Sequence, residues 1–326
     1  MQNITILGFL LNLIMYNFIT KITTSFLFFF LPLLTVYAQD SVYVFSYFVN
    51  NGKDGLHLAY SKDGLKWKEI HEGKSYLKPE LSPDKLMRDP CIIRGGDGKF
   101  HMVWTLSWTQ RSIGYASSPD LINWSEQIAI PVMEHEPKAR NTWAPEITYD
   151  RKSKKYVIYW STTITGLYPE TQAKEESGYN HRIYYTTTKD FKKFTKTKLL
   201  FEPGFNVIDA TIVPDGKQWL MVVKDETINP PQKNIKIASA KKIDGPYTNI
   251  SASITGNYWA EGPTVLRKKN EWYVFFDRYR DKKYGAVKST DLKNWEDVTY
   301  QITMPKNIRH GSVFKISQAE FNKILE

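Results

Sequence analysis

The chain of 326 residues holds one cysteine, Cys91. No internal disulfide can form, which excludes a disulfide-stapled scaffold. Its apolar neighbours Ile92 and Ile93 mark Cys91 as a core residue rather than a nucleophile. Dense basic blocks are also lacking. Lys and Arg number 44 against 34 Asp and Glu, a formal net charge of +10, but they are scattered and not interleaved with aromatics. That pattern describes a solvated basic surface and gives no reason to expect a nucleic-acid partner, although an acidic polysaccharide stays open. Long Ala/Leu/Glu/Lys runs are missing, and no apolar run reaches the ~20 residues needed to cross a bilayer as a helix. Aromatics are abundant instead, with 10 Trp, 20 Tyr and 17 Phe. Such residues suit pleated, half-buried surfaces, so the chain leans towards all-β.

Residues 1–38 carry a single charge, Lys21, and two apolar runs at 4–19 and 26–37. The second run ends in Val36, Tyr37 and Ala38, ahead of Gln39 and Asp40. A short apolar core closed by small residues is the pattern of a signal peptide, here cut after Ala38. A membrane anchor is the alternative, and Met15 is a second candidate start. The expectation is a secreted or periplasmic protein without stable membrane insertion, with one domain at 39–326.

Two segments recur along that domain. The first is a turn that places Ser or Thr, Asp and an aromatic at fixed offsets: Ser61, Asp63 and Trp67; Ser118, Asp120 and Trp124; Thr188, Asp190 and Phe194; Ser289, Asp291 and Trp295. A degenerate copy lies at 242–247. Side-chain oxygens at these offsets can satisfy the amides of a tight turn. The second is a strand start, at Asp89-Pro90, Ala144-Pro145, Asp209-Ala210, Gly262-Pro263 and His310-Gly311. An aromatic-rich strand follows each of the first four, at 100–105, 156–161, 219–223 and 272–276. The fifth has none, while the N-terminal region supplies strands at 42–48 and 57–61 that lack an inner partner. Five units of about four short strands, one of them built from both chain ends, predict a five-bladed β-propeller whose ring is closed by N- and C-terminal strands. The intervals between starts are 55, 65, 53 and 48 residues, and the longest carries an insert near 162–180.

Inner strands of a propeller start at one mouth of the central channel. Asp89, Asp209, Glu261 and His310 are therefore expected together, with Trp108, the insert, 224–231 and 278–282 around them. Carboxylates that converge are costly unless their environments separate their proton affinities. Glycosidic cleavage needs that separation: one carboxyl keeps a proton for the leaving oxygen while another stays ionised. A concave site rimmed by aromatics suits a sugar. Glu261 stands one residue ahead of the position equivalent to Asp89, so strict alternation would turn it away, and a bulge must aim it. Glu146, two residues into its strand, is a rival carboxylate on the channel side.

These residues resemble glycoside hydrolase family 43. Met87-Arg88-Asp89-Pro90 is similar to the family's base motif, Val207-Ile208-Asp209-Ala210 to that of its pKa-modulating Asp, and Trp259-Ala260-Glu261-Gly262-Pro263 to its acid motif. The order and the separations of 120 and 52 residues are similar too. Arg309-His310-Gly311 resembles the segment with an axial histidine, which in some members binds water or calcium. The resemblance covers 42–317. It implies an inverting glycosidase of the arabinofuranosidase, xylosidase or galactosidase type acting on plant-type glycans. Asp89 would be the base, Glu261 the acid and Asp209 the modulator, with Trp108, Trp143, Arg278 and His310 at the substrate. It implies no required cofactor beyond an optional axial calcium, a carbohydrate as partner, and a monomer. The alternatives are a non-catalytic carbohydrate-binding propeller and a retaining, fructan-hydrolase-like or phosphorolytic relative.

Overall fold

A computed structural model describes residues 41–326; the expected leader at 1–38 lies outside the described residues. The chain forms β1 (Ser41–Val49), β2 (His57–Ser61) and β3 (Lys68–Glu69), three strands of a sheet that waits for its inner strand. Blade 1 follows as β4 (Arg88–Arg94), β5 (Phe100–Thr105), β6 (Ile113–Ser118) and β7 (Ile128–Ile130). Blade 2 is β8 (Trp143–Asp150), β9 (Lys155–Thr162), β10 (Arg182–Thr188) and β11 (Lys198–Phe201). Blade 3 has β12 (Val207–Pro214), β13 (Trp219–Asp225) and β14 (Asn234–Ala240). Blade 4 is β15 (Glu261–Lys268), β16 (Glu271–Arg278), β17 (Lys283–Ser289) and β18 (Glu296–Asp297). Last, β19 (Ile308–Ser317) pairs antiparallel with β1, Val42 opposite Ile316 and Phe45 opposite Val313, and completes blade 5. The molecule is the five-bladed propeller that the repeats predict. Joining the first described strand to the last leaves the ring without an open seam.

Each sheet is buried on both faces, because it packs against a neighbour on either side. Successive residues of a second strand therefore enter different cores. Val103 lies between blades 1 and 2, whereas Trp104 lies between blades 5 and 1. Trp160 and Tyr159 divide in the same way. This is why second strands read as unbroken aromatic and aliphatic runs, and why the aromatic content is high. Each fully buried large side chain contributes about 1.5–3 kcal/mol.

The Ser-x-Asp turns close the outer strands. Ser61 Oγ accepts the Gly64 N–H at 2.9 Å, and Asp63 Oδ1 accepts those of Leu65 and Lys66 at 2.8 Å. The arrangement recurs at Asp120, Asp190 and Asp291. Blade 3, with the degenerate copy, has no fourth strand; a Ser239–Thr248 bridge and the amides of Ser251 and Ile254, which donate to Ile237 O and Ile235 O, extend it instead. A helix, α1 (Gln318–Leu325), follows β19. Ser317 and Glu320 form its capping box, Phe321 and Ile324 are buried in the core between blades 5 and 1, and Glu320 pairs with Arg94 at 2.6 Å. Among the described residues no helix is long and apolar enough to cross a membrane.

Candidate active site

Every inner strand begins with the same fault in its pairing. Arg88 lies opposite Thr105 and Cys91 opposite Val103, so Asp89 and Pro90 together face one residue. The two-against-one bulge recurs at Ala144 and Pro145, Asp209 and Ala210, Gly262 and Pro263, and His310 and Gly311. In four blades its first residue is left-handed, with φ of 55° at Asp89, 45° at Ala144, 57° at Asp209 and 56° at Gly262. That costs a non-glycine residue about 1–2 kcal/mol. The bulge bends the strand, so Glu261, just ahead of it, also reaches the mouth. Gly262 is required on steric grounds: a Cβ there would lie 2.1 Å from His310 Cγ. Blade 4 therefore has no room for a carboxylate at the bulge itself.

A second repeat of position was invisible in the sequence. The residue near the end of each second strand reaches the inner strand of the next blade. Thr105 Oγ1 donates to Asp89 Oδ2 at 2.6 Å and accepts from Ala144 N at 2.8 Å. Ser161 Oγ accepts from Asp209 N at 3.3 Å. Lys224 Nζ donates to Glu261 Oε2 at 3.2 Å, and Asp277 accepts from Arg309 Nε. In blade 5 the place is taken by Phe48, 4.7 Å from the Arg88 guanidinium. The side chains differ in chemistry, so no motif marks them; only the strand register reveals the set.

The structure brings Asp89, Asp209, Glu261 and His310 together and gives each a different environment. Asp89 is buried, which raises its proton affinity, but the His310 ring 2.7 Å away, Arg88 and the Thr105 hydroxyl outweigh this and hold it far below the usual carboxylate range. Burial also opposes a charge on His310, yet Asp89, Asp277 and Asp209 raise it to about 10, so it is an imidazolium. Asp209 is buried with few compensating donors: Gly262 N donates to Oδ2 at 2.9 Å, and His310 and Lys224 act from further away. Its affinity rises to about 6, with Glu261 and Asp89 adding repulsion. Glu261 is also desolvated, but Lys224, His310 and Arg309 pull it below its ordinary value. Arg309 Nη2 donates to its Oε1 at 2.8 Å. The repulsion expected to lift Glu261 thus falls on Asp209. Glu146 faces the channel as well, where burial pushes its carboxyl up to about 8. It borders an axial cavity of about 20 Å³ that is also lined by Asp89, Asp209 and His310, and a wider opening of about 250 Å³ further along the channel.

Of the expected sugar contacts, Trp108 and Trp143 meet edge to face at 6.1 Å, and Trp143 Nε1 donates to Trp108 O at 2.9 Å. Tyr179 and His181 extend this wall, their rings within 4.6 Å and 5.3 Å of Trp143. Arg278 is not brought to the carboxylates. Its guanidinium lies 3.8 Å from the Tyr258 ring and pairs with Asp281. Alternation along β16 sends Asp277 to the centre instead.

Ligand atoms of Glu261, Asp277 and His310 lie within 4.8 Å of one another. They do not suit a divalent cation, because Arg309 already bridges the two carboxylates and His310 is itself charged. The axial cavity is the other place where carboxyls converge, although His310 lines it too and pairs with Asp89 at 2.7 Å. Its carboxyl oxygens come from Asp89, Asp209 and Glu146, and burial is the main cause of the raised affinities of the last two.

A five-bladed ring with converging carboxyls, an axial imidazolium and a tryptophan wall defines a glycosidase-type propeller. The chain belongs to the family described as a probable glycosyl hydrolase domain, related to glycoside hydrolase family 43, with a match over residues 39–322. An α-L-arabinofuranosidase of Bifidobacterium longum subsp. longum is 24% identical over 199 residues, covering 54% of this chain and 19% of that protein. The chain thus spans about a fifth of the length of this curated relative. Among solved structures, a family 43 protein of Bacillus licheniformis aligns with TM-score 0.52 and 19% identity, over 69% of this chain and 42% of the other. The α-L-arabinofuranosidase of Lactobacillus brevis aligns with TM-score 0.51 and 20% identity, over 65% and 72%. Those two alignments speak to the fold.

Proposed function

We propose that this chain hydrolyses glycosidic bonds of plant-type polysaccharides or oligosaccharides, with inversion. The curated relative puts α-L-arabinofuranosides first, ahead of xylosides and galactosides. The observation that carries the reading is the division of proton affinity in one mouth. Asp89 is locked as a carboxylate, while Asp209 and Glu261 compete for a proton. Asp89 deprotonates the attacking water, and Glu261 protonates the leaving oxygen. In the resting site the proton belongs with Asp209, because Lys224 and Arg309 stabilise Glu261 as an anion. A sugar seated against Glu261 excludes water and displaces a cationic partner, which moves the preference to Glu261. Asp209 and the Lys224–Glu261 contact together then set the pH at which the acid is armed.

Trp108 and Trp143 supply apolar faces for the sugar, and His310 fixes Asp89. A calcium ion in the axial cavity would draw on Asp209 and Glu146, since Asp89 already pairs with His310 at 2.7 Å; no step needs it. The ring and its site close within one chain, which favours a monomer, and the leader expected at 1–38 favours export to the medium or periplasm. The test is a screen of aryl α-L-arabinofuranosides, β-xylosides and β-galactosides, with the anomer of the first-formed product read by NMR. Inversion is expected, and Asp89→Asn and Glu261→Gln should each cost ~10²–10⁴-fold in rate with unchanged circular dichroism. Binding without turnover, or retention, would overturn the reading.

A further inference from the structure

Beside the catalytic mouth lies a groove of about 540 Å³. It is bounded by the blade-2 insert at 170–175, the 204–206 loop that leads into β12, and the 227–229 loop that follows β13. A chain of contacts links it to the reacting groups. Thr227 follows Glu226 directly, and Glu226 Oε2 lies 2.5 Å from Lys224 Nζ, which is 3.2 Å from Glu261. Asn206 ties the groove to the tryptophan wall: its carbonyl accepts from Glu226 N at 2.7 Å, its Oδ1 from His181 N at 2.7 Å, and its Nδ2 donates to Tyr179 O at 3.1 Å.

The insert is a fixed wall. Arg182, fully buried, donates to Thr171 Oγ1 at 2.8 Å and to Asn180 Oδ1 at 3.1 Å, pairs with Glu202 at 2.7 Å and lies 4.2 Å from the Tyr168 ring. A ligand in the groove has little left to order. The Thr171 hydroxyl is taken up by Arg182 and Asn180, and the lining otherwise offers a hydroxyl and amides, from Thr227, Gln172 and Asn229, with one aromatic, Phe205. Lys236, paired with Asp225 at 2.9 Å, lies 5.0 Å from the Phe205 ring. The charged residues of the lining, Glu170, Lys174 and Glu175, are all exposed and carry a small net negative charge. That disfavours the acidic polysaccharide left open by the overall basic charge. One aromatic face among neutral donors and acceptors is the chemistry of an uncharged sugar.

We infer that this groove is a distal subsite for a neutral glycan chain, so that the enzyme prefers oligosaccharides long enough to span from Glu261 to Phe205. The inference rests on the hydrolytic reading of the mouth, but its test does not require turnover. The full chain carrying Asp89→Asn is titrated with arabino- and xylo-oligosaccharides of increasing length. Affinity should rise with length, and Phe205→Ala, added to Asp89→Asn, should cost about threefold to tenfold for the long chains while disaccharides lose little. Asn229→Ala, at an exposed loop position, should weaken the same ligands in a chain whose folding is not in question. Length-independent affinity, or unchanged binding in both variants, would overturn the subsite. Wild-type chain that binds long glycans through Phe205 yet leaves every glycoside intact would instead overturn the hydrolytic reading and keep the groove. Turnover of aryl glycosides with no preference for length would do the reverse.

Discussion

Besides His310, Glu261 has Lys224 and Arg309 as cationic partners, on different oxygens and from different blades, and this makes the general acid adjustable one residue at a time. An acid works only while protonated, so activity falls as pH rises through its pKa. Lys224 lowers that pKa. Lys224→Met keeps an apolar stem in the buried position but removes the charge, and should move the alkaline limb of the kcat/KM profile to higher pH. Asp209→Asn should move the limb the other way, because the neutral amide no longer repels the anionic form of Glu261. The acid-side limb, set by Asp89, should move less in both. An unshifted alkaline limb in Lys224→Met would show that another group supplies the proton. The bulges give a stability prediction at the same scale. Ala144 sits at φ 45° with no catalytic task. Ala144→Gly relieves the left-handed strain but adds unfolded-state entropy, for a net gain of about 0.5–1 kcal/mol in urea unfolding. Gly262→Ala should instead be strongly destabilising, since its methyl would collide with the His310 ring.

At the scale of elements, α1 is a latch on the closing blade rather than part of it. It covers the core between blades 5 and 1 with Phe321 and Ile324, and Glu320 ties it to Arg94. Deleting 318–326 should lower Tm yet leave a closed ring and an intact site, whereas deleting 308–326 removes β19 and should unfold the whole domain; circular dichroism melts separate the two. The strands that make the blades were legible because short aromatic-rich apolar runs and the repeated Ser-x-Asp turns are local signals. Pairing of 42–48 with the C-terminal segment was legible for the same reason, as two incomplete units must complete each other. α1 was not legible although Ser317 and Glu320 have capping-box spacing, because eight residues after a strand carry little periodicity. Asp89 and Asp209 were legible because they sit at equivalent strand starts, with Glu261 one residue ahead of that position. Lys224, Arg309 and Asp277 were not, since their importance comes from reaching across to a partner in another part of the chain. Arg278, expected at the substrate, stands one residue from Asp277, and alternation turns that single step into the opposite face.

For the molecule as a whole, the channel concentrates groups whose titration sets stability. His310 has a folded pKa of about 10 against an ordinary 6.5, so its ion pairs stabilise the fold fully below about pH 6.5 and are lost as pH rises through 10. Glu146, near 8 against 4.5, and Asp209, near 6 against 3.8, hold their protons more tightly folded than unfolded, so their contributions also decline as pH rises between those values. Asp89 and Glu261 act in the opposite sense: their folded pKa values are depressed, and their stabilisation is lost as pH falls through them. The sum is a stability maximum in the weakly acidic range and a long decline on the alkaline side. Glu146→Gln isolates one part of that decline. The amide can still accept the Tyr159 hydroxyl that lies 3.1 Å from Oε2, but it cannot ionise. At pH 4 the variant should melt with the wild type, both being neutral at this position. At pH 8 it should be the more stable by ~2–4 kcal/mol, since each tenfold gain in proton affinity on folding is worth about 1.4 kcal/mol. The slope of Tm against pH between 4.5 and 8 should flatten accordingly. If the two Tm curves stay parallel across that range, Glu146 is ionised in the fold and the channel carries a compensating charge, such as an axial cation, which a chelator would then remove with a fall in Tm.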